Sequence, residues 1–367
     1  MNTLQRLYAQ GGQSPWIDFI DRDLIESGRL DKLIKDGIRG LTSNPTIFAK
    51  AVSSGHYDEL VRGKLDAGES NQAIYEAIAV TDVGDAADRL RVVYDEAKGA
   101  DGFASIEVEP ELADDTQGTI ARARYLWATL GRPNIFVKIP ATQAGIPAIE
   151  TCIADGINVN VTLMFSVAVY RQVAMAYLTG LRRRTANGQE VGGIASVASF
   201  FVSRVDTKVD KILNEVGTQE ALAVRGTAAI ANARLAYEAY LEIFHGPEFA
   251  DLREAGAQVQ RCLWASTSTK NPAYRDIMYV DELIGPDTVN TMPLETIEAF
   301  LDHGDVRRTL DTDLHAAYDA IRAIEAEGVS MEKVTAELLA EGVVAFAKSF
   351  EDLISTIDSK REALATA

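Results

Sequence analysis

Residues 135–164 read IFVKIPATQAGIPAIETCIADGINVNVTLM. Both ends alternate with a period of two. In Ile157-Asn158-Val159-Asn160-Val161-Thr162-Leu163 the split is complete, with Asn158, Asn160 and Thr162 against four aliphatics. In Ile135-Phe136-Val137-Lys138-Ile139 the residues Ile135, Val137 and Ile139 form an apolar face, and Lys138 falls on the other. Such alternation marks strands. Ala144 to Ala154 reads as a helix between them. Strand, helix, strand is the unit from which a parallel sheet is built.

The pattern extends outward from this unit. Short β-rich runs occur at Trp16 to Ile20, Arg39 to Ser43, Phe103 to Val108, Ile135 to Ile139, Ile157 to Met164, Ile194 to Val202, Cys262 to Ser266 and Val289 to Met292. Helical stretches separate them. These are Asp31 to Asp36, Asn71 to Lys98 (at least two helices, the first capped by Asn71), Thr116 to Leu130, Val167 to Arg184, Val205 to Val216, Gly226 to Phe244, Tyr274 to Ile284 and Leu294 to Leu301. The tail, Leu314 to Glu327 and Met331 to Leu364, reads as helix only, broken at Gly328 and Gly342. Eight strands alternating with helices predict an α/β fold, a closed (β/α)8 TIM barrel. The surplus over the roughly 250 residues of such a barrel lies between the second and third strands, between the sixth and seventh, and in the tail. All three regions look helical and are expected to decorate and cover the barrel. The chain thus reads as one α/β-barrel domain (1–367), with 302–367 a helical extension packed on it.

Composition narrows the function. The 367 residues are 47% hydrophobic and 25% charged, as in an ordinary globular protein. No apolar block reaches the ~18 residues of a membrane span. The opening MNTLQRLYAQGGQSPW lacks the apolar core of a signal peptide. The net charge of −18 repels nucleic acid and anionic lipid. It also repels phosphorylated metabolites, so a phosphate-binding site must be locally positive. Cys152 and Cys262 lie in apolar stretches and read as core residues, which suits the reducing cytoplasm. The four histidines have no metal-ligand spacing. Neither a metal nor an organic cofactor is expected. RRR at 182–184 reads as a solvated last turn of a helix.

Strand parity picks out the polar residues that face the barrel interior. Lys138 opposes an aliphatic face, as do Ser105 and Glu107 in Ala104-Ser105-Ile106-Glu107-Val108, and Asp18 in Ile17-Asp18-Phe19. Thr42 shares parity with Asn44, and Ser199 with Val197 and Phe201. A solvated strand face alternates in the same way, but neither face of a helix-flanked parallel sheet meets bulk water. The inward set holds one cation, two carboxylates and several neutral hydrogen-bonding groups, mostly near the C-terminal strand ends where barrel active sites lie.

An amine among apolar neighbours is disfavoured in its charged form, and a neutral amine attacks ketones. The resulting iminium is an electron sink for cleavage of the adjacent C–C bond. That cleavage needs a base for a hydroxyl proton and an acid/base group for imine formation and hydrolysis. Glu107 and Asp18 suit such a division.

Five stretches also carry a resemblance. GLTSNPTIFAKA (40–51), ASIEVEP (104–110), IFVKIPATQAGI (135–146), GINVNVTLMFS (156–166) and SFFVSRV (199–205) resemble, in order and spacing, the transaldolases, over roughly residues 14 to 300. The length and helical tail look like the bacterial forms. The resemblance implies an α/β barrel with a Schiff-base lysine on strand four, here Lys138. It implies transfer of a dihydroxyacetone unit between sugar phosphates, without a cofactor. Glu107 then resembles the acid/base that works through water, and Asp18 the carboxylate that handles the hydroxyl proton. Thr162 resembles the threonine that helps hold the catalytic water, and Asn44 and Asn160 the intermediate-binding asparagines, with Thr42 beside them. Ser199 and Arg204 resemble the phosphate-binding pair. The Asp18 neighbourhood matches only loosely, and Lys270 stands where many relatives place an arginine. A lysine there is a point charge, not a bidentate fork. A cation at the helix start of Arg204 opposes the helix dipole, which favours a ligand-binding role. The rivals are a fructose 6-phosphate aldolase-like lyase of the same fold and a non-catalytic barrel scaffold. The expected partners are small sugar phosphates, with monomer and homodimer both open.

Overall fold

In the computed structural model, which describes residues 1–365, eight parallel strands close into a barrel in sequence order. They are β1 (Gln13–Asp18), β2 (Leu41–Thr42), β3 (Ala104–Glu107), β4 (Ile135–Pro140), β5 (Val159–Met164), β6 (Ser196–Phe201), β7 (Arg261–Ala265) and β8 (Thr288–Met292). The ring closes where Ile17 of β1 pairs with Met292 of β8. Every expected run is present as a strand.

Parity sorts the side chains as the alternation requires. Ile135, Val137, Ile139, Val159 and Val161 face outward into the main core beneath the helices. The inward positions stack in layers. A separate apolar cluster, Trp16, Phe103, Phe136, Ala195, Val197, Leu263, Ala265 and Val289, fills the middle of the barrel. Phe103 and Phe136 stack with centroids 4.2 Å apart, and Trp16 lies 6.0 Å from Phe136. Beneath this plug, Asp101 accepts hydrogen bonds from Trp16 Nε1 (3.0 Å), Ser14 Oγ (2.6 Å) and Arg39 Nε (2.9 Å). The buried carboxylate and indole are thereby satisfied. The inward polar residues of the strand C-termini form the layer above.

The helices depart from expectation in places. Asn71–Glu96 is one continuous helix, and the capping oxygen is that of Ser70, which accepts from Ala73 N. Tyr274 to Ile284 shrinks to the short helix Met278–Asp281. The preceding chain is tied by Tyr274 to Asp210 (2.6 Å), and the short helix itself by Tyr279 to Asp206 (2.8 Å). Helices Thr3–Ala9, Pro45–Val52 and Asp58–Asp66 were not anticipated. The cue for Pro45–Val52 is Asn44 as cap with Pro45 in the first turn. Arg182–Arg184 are not merely solvated. Arg182 pairs with Glu248 and Asp251, Arg183 with Glu150, and Arg184 donates to the carbonyl of Ala154.

The tail runs across the top of the barrel. Gly342 does not break it, because Met331–Ala365 is a single helix. Phe350 packs edge-on against Tyr75 at 5.3 Å, and Thr46 donates to Ser349 at 3.0 Å. Lys208 pairs with Glu337 at 2.8 Å, and Lys360 with Asp58 at 2.6 Å. Of the 302–367 extension expected from sequence, residues 366 and 367 lie outside the described residues. No described helix is long and apolar enough to cross a membrane. Cys152 and Cys262 are buried and free, as core residues should be.

Gly40, just before β2, carries the plug's tightest contact. A Cβ there would lie 2.3 Å from Cε2 of Trp16. Gly40→Ala must displace the indole and break its bond to Asp101. We expect a loss of about 2–3 kcal/mol, read as a lower urea midpoint with unchanged slope.

Candidate active site

A cleft of about 560 Å³ opens at the C-terminal ends of the strands. Its walls include Asp18, Thr42, Asn44, Glu107, Lys138, Thr162, Ser199, Arg204 and Lys270. Nine of the ten residues expected from sequence therefore meet at one cavity, of the size usual for small-molecule sites.

Lys138 sits at the floor with 7% of its surface exposed. Its Nζ donates to the carbonyl of Ser43 at 2.9 Å and lies 3.3 Å from Glu107 Oε2. The amine is thus held among polar partners rather than apolar ones, which corrects the sequence expectation. Strand register explains the contact, since Lys138 is directly opposite Glu107 on β3 and Asn160 on β5. Burial pushes the Glu107 carboxyl above the usual carboxylate range. Lys138 opposes that rise and Asp18 adds to it.

Asp18 belongs to a second chain of bonds. Thr42 Oγ1 donates to Asp18 Oδ1 at 2.7 Å and lies 2.7 Å from Thr291 Oγ1. Thr42 has one hydroxyl proton, and Asp18 takes it, so Thr291 donates to Thr42. Thr42 therefore orients Asp18 across β1, β2 and β8. Burial raises the Asp18 carboxyl above its ordinary value, against the pull of Thr42 and Lys138 and with a push from Glu295.

Asn160 is the exception. It is fully buried below the cleft and does not line it. Its Oδ1 accepts from Ser199 Oγ at 2.7 Å, and its Nδ2 donates to Ser105 Oγ at 3.2 Å. Asn44 uses Oδ1 to cap the helix Pro45–Val52, accepting from Ile47 N at 3.1 Å. Thr162, 2% exposed, has no side-chain hydrogen-bond partner among the described residues, so its hydroxyl is available to a ligand or water in the cleft.

The cations lie on the rim. Arg204 forms no ion pair among the described residues, and its guanidinium stands 5.3 Å from the Phe201 ring. Burial lowers its pKa from the usual arginine value. Lys270 donates to Ser268 at 2.7 Å and likewise has no carboxylate partner. Lys50 and Glu295 also line the cleft and were missed. Lys50 follows four residues after a proline-started helix turn, and no local pattern marks it as inward. Thr291 was missed as well, although its parity with Val289 on β8 was a usable signal. From the tail helix come Gly342, Ala345, Phe346 and Ser349, which no local pattern foretold. Among the described residues, no group of three or more His, Cys, Asp or Glu is arranged to hold a metal ion.

Comparison with known proteins gives a consistent picture. The family model described as transaldolase/fructose-6-phosphate aldolase matches residues 15–357. "Transaldolase 1" of Streptomyces coelicolor is 49% identical over 357 residues, covering 96% of this chain and 93% of that protein. "Transaldolase" of Trichodesmium erythraeum is 45% identical, covering 95% of each chain. "Transaldolase" of Thermobifida fusca is 48% identical, covering 96% of this chain and 97% of that protein.

The raised carboxyl of Asp18 has a consequence for stability. The folded state holds the Asp18 proton more tightly than the unfolded state does. Stability is therefore lost as pH rises from the unfolded aspartate value of about 3.9 through the higher folded value. The isosteric Asp18→Asn removes that loss, and its oxygen still accepts from Thr42. Urea unfolding should find the variant more stable than wild type at pH 8, with the gap closing near pH 4.

Proposed function

The chain belongs to the transaldolase and fructose-6-phosphate aldolase family, and from that membership we infer that Lys138 carries the reaction as a Schiff base. The enzyme is a transferase. It moves a dihydroxyacetone unit from sedoheptulose 7-phosphate to glyceraldehyde 3-phosphate, giving erythrose 4-phosphate and fructose 6-phosphate in the non-oxidative pentose phosphate pathway. The observation that carries the residue assignment is the Lys138 amine lying 3.3 Å from a carboxyl whose pKa is raised.

The steps follow from that contact. The neutral amine of Lys138 attacks the C2 carbonyl of the ketose. Glu107 supplies the proton with which the carbinolamine oxygen leaves as water, forming the iminium. The Thr162 hydroxyl holds that water near the reacting carbon. Asp18 then takes the proton of the C4 hydroxyl. The C3–C4 bond breaks, its electron pair moves to the iminium nitrogen as an enamine, and the aldehyde departs. The acceptor aldehyde reverses these steps, with Asp18 returning the proton. Hydrolysis of the new iminium, assisted by Glu107, frees Lys138. Arg204, Ser199 and Lys270 fit the phosphate, with Arg204 and Lys270 exposed on the rim and without a carboxylate partner among the described residues. Asn44 has its Nδ2 left for a sugar hydroxyl.

Asn160 supports a different part. Its two bonds fix Ser199 and Ser105, so it orients Ser199 from below. We place the enzyme in the cytoplasm, where its two free thiols suit the redox state.

Borohydride trapping with fructose 6-phosphate, followed by peptide mapping, tests the mechanism. A reduced three-carbon adduct on Lys138 is expected, absent in Lys138→Ala. Without an acceptor, fructose 6-phosphate consumption should stop near one equivalent per site and resume on adding erythrose 4-phosphate. Continuous release of dihydroxyacetone would instead mark the lyase. Glu107→Gln should keep the fold, read by circular dichroism, and lose about 10²–10⁴-fold in kcat.

A further inference from the structure

Gly342 sits inside the C-terminal helix, where glycine is destabilising relative to alanine because it loses more backbone entropy. Its φ is not in the left-handed region, so backbone conformation does not call for glycine. Space does. A Cβ there would lie 3.1 Å from Cδ2 of Leu163 and 3.7 Å from Cε2 of Phe165.

Leu163 is itself strained. Its φ of +58° is left-handed, a conformation that a side chain with a Cβ adopts only when its surroundings hold it there. It directly follows Thr162, where the pairing of β5 with β6 shifts register between Val161 and Met164. The register shift and the turned backbone decide how Thr162 meets the cleft. Leu163 is 6% exposed, and Gly342, Leu163 and Thr162 share the cleft wall. The helix that bears Gly342 is pinned on both sides of it, by Lys208 to Glu337 and Glu341 and by Lys360 to Asp58.

We propose that Gly342 is a positioning residue. It lets the tail helix seat on Leu163, holding the strained turn so that the Thr162 hydroxyl faces the reacting centre. The proposal rests on the Schiff-base reading above, in which Thr162 holds the water of imine chemistry. The added methyl of Gly342→Ala pushes on Leu163 and turns Thr162 away. The same methyl strengthens the helix, so stability and rate move in opposite directions.

The test measures Gly342→Ala for thermal midpoint, steady-state kinetics with fructose 6-phosphate and erythrose 4-phosphate, and borohydride adduct. The expected result is an unchanged or raised midpoint, an adduct still on Lys138, KM within about twofold, and kcat lowered roughly tenfold, as small misplacements near a reacting centre do. Wild-type kcat in Gly342→Ala would overturn the proposal. So would a KM that rises in step with the fall in kcat, since the change would then disturb substrate binding rather than the placement of Thr162. If the wild-type protein yields no adduct on Lys138, the Schiff-base reading falls and the proposal falls with it, which sets that failure apart from the other two.

Discussion

An amine and two carboxyl groups are buried together at the mouth of this barrel, and most of the architecture answers to that. Each ion taken out of water costs several kcal/mol unless close partners replace the lost solvent. Lys138 finds two partners, the Ser43 carbonyl and Glu107. They arrive from two neighbouring segments, the turn after β2 and β3, and strand register aligns them with Lys138 on β4. Asp18 is served by a hydroxyl relay from Thr291 through Thr42, which crosses the seam where β8 meets β1. The site therefore exists only in the closed ring. Beneath it the stacked rings of Trp16, Phe103 and Phe136 leave the polar layer no room to sink. Their own polar atom, the indole nitrogen, is satisfied by Asp101 below. The barrel is thus polar, apolar and polar in successive layers, and each boundary sharpens the next.

Much of this was legible because parity is a strict rule. A strand residue two positions from Phe136 must share its side, so Lys138 had to point inward; the same step took Val197 to Ser199, and two such steps took Phe103 to Glu107. What escaped was not periodic. The Ser43 carbonyl has no side-chain signature, although it is one of the two partners of the Lys138 amine. Asn160 has the inward parity of Thr162 but sits one layer down, and sequence does not give depth. The tail helix was legible as a helix. That Gly342, Phe346 and Ser349 wall the cleft depends on how the helix seats on the helix Pro45–Val52 and on β5, a contact between residues about 180 to 300 positions apart. Gly342 was misread as a break because glycine in a helical pattern signals either an end or a close approach. Only packing distinguishes them.

Charge is distributed unevenly and to a purpose. The chain carries a net charge of −18, and most of its arginines are matched to carboxylates. Arg204, Lys270 and Lys50 are not, and all three line the cleft. A cation on the cleft rim without a carboxylate partner among the described residues creates a local positive potential that the acidic surface does not cancel at short range. A phosphate is thereby repelled by the protein as a whole and attracted by one cavity. Such contrast disfavours adventitious anion binding elsewhere on the surface.

Geometry also separates the two carboxyl groups, which burial shifts in the same direction. Equal shifts would not by themselves divide the labour. Reach does. Glu107 contacts the lysine amine, so it can serve the protons that move when the C–N bond forms and breaks. Among the described residues, the Asp18 side chain hydrogen-bonds to the hydroxyl of Thr42 and forms no ion pair with the amine. A group that takes the C4 hydroxyl proton has to stand two carbons from the imine, not beside it. If the two exchanged places, Asp18 would compete for the amine and no base would face the bond to be cleaved. The Glu295 charge, at the start of the helix after β8, lies on the Asp18 side and helps that carboxyl keep a proton. In the proposed mechanism the carboxyl that touches the nitrogen serves the C–N bond, and the carboxyl held by Thr42 serves the C–C bond.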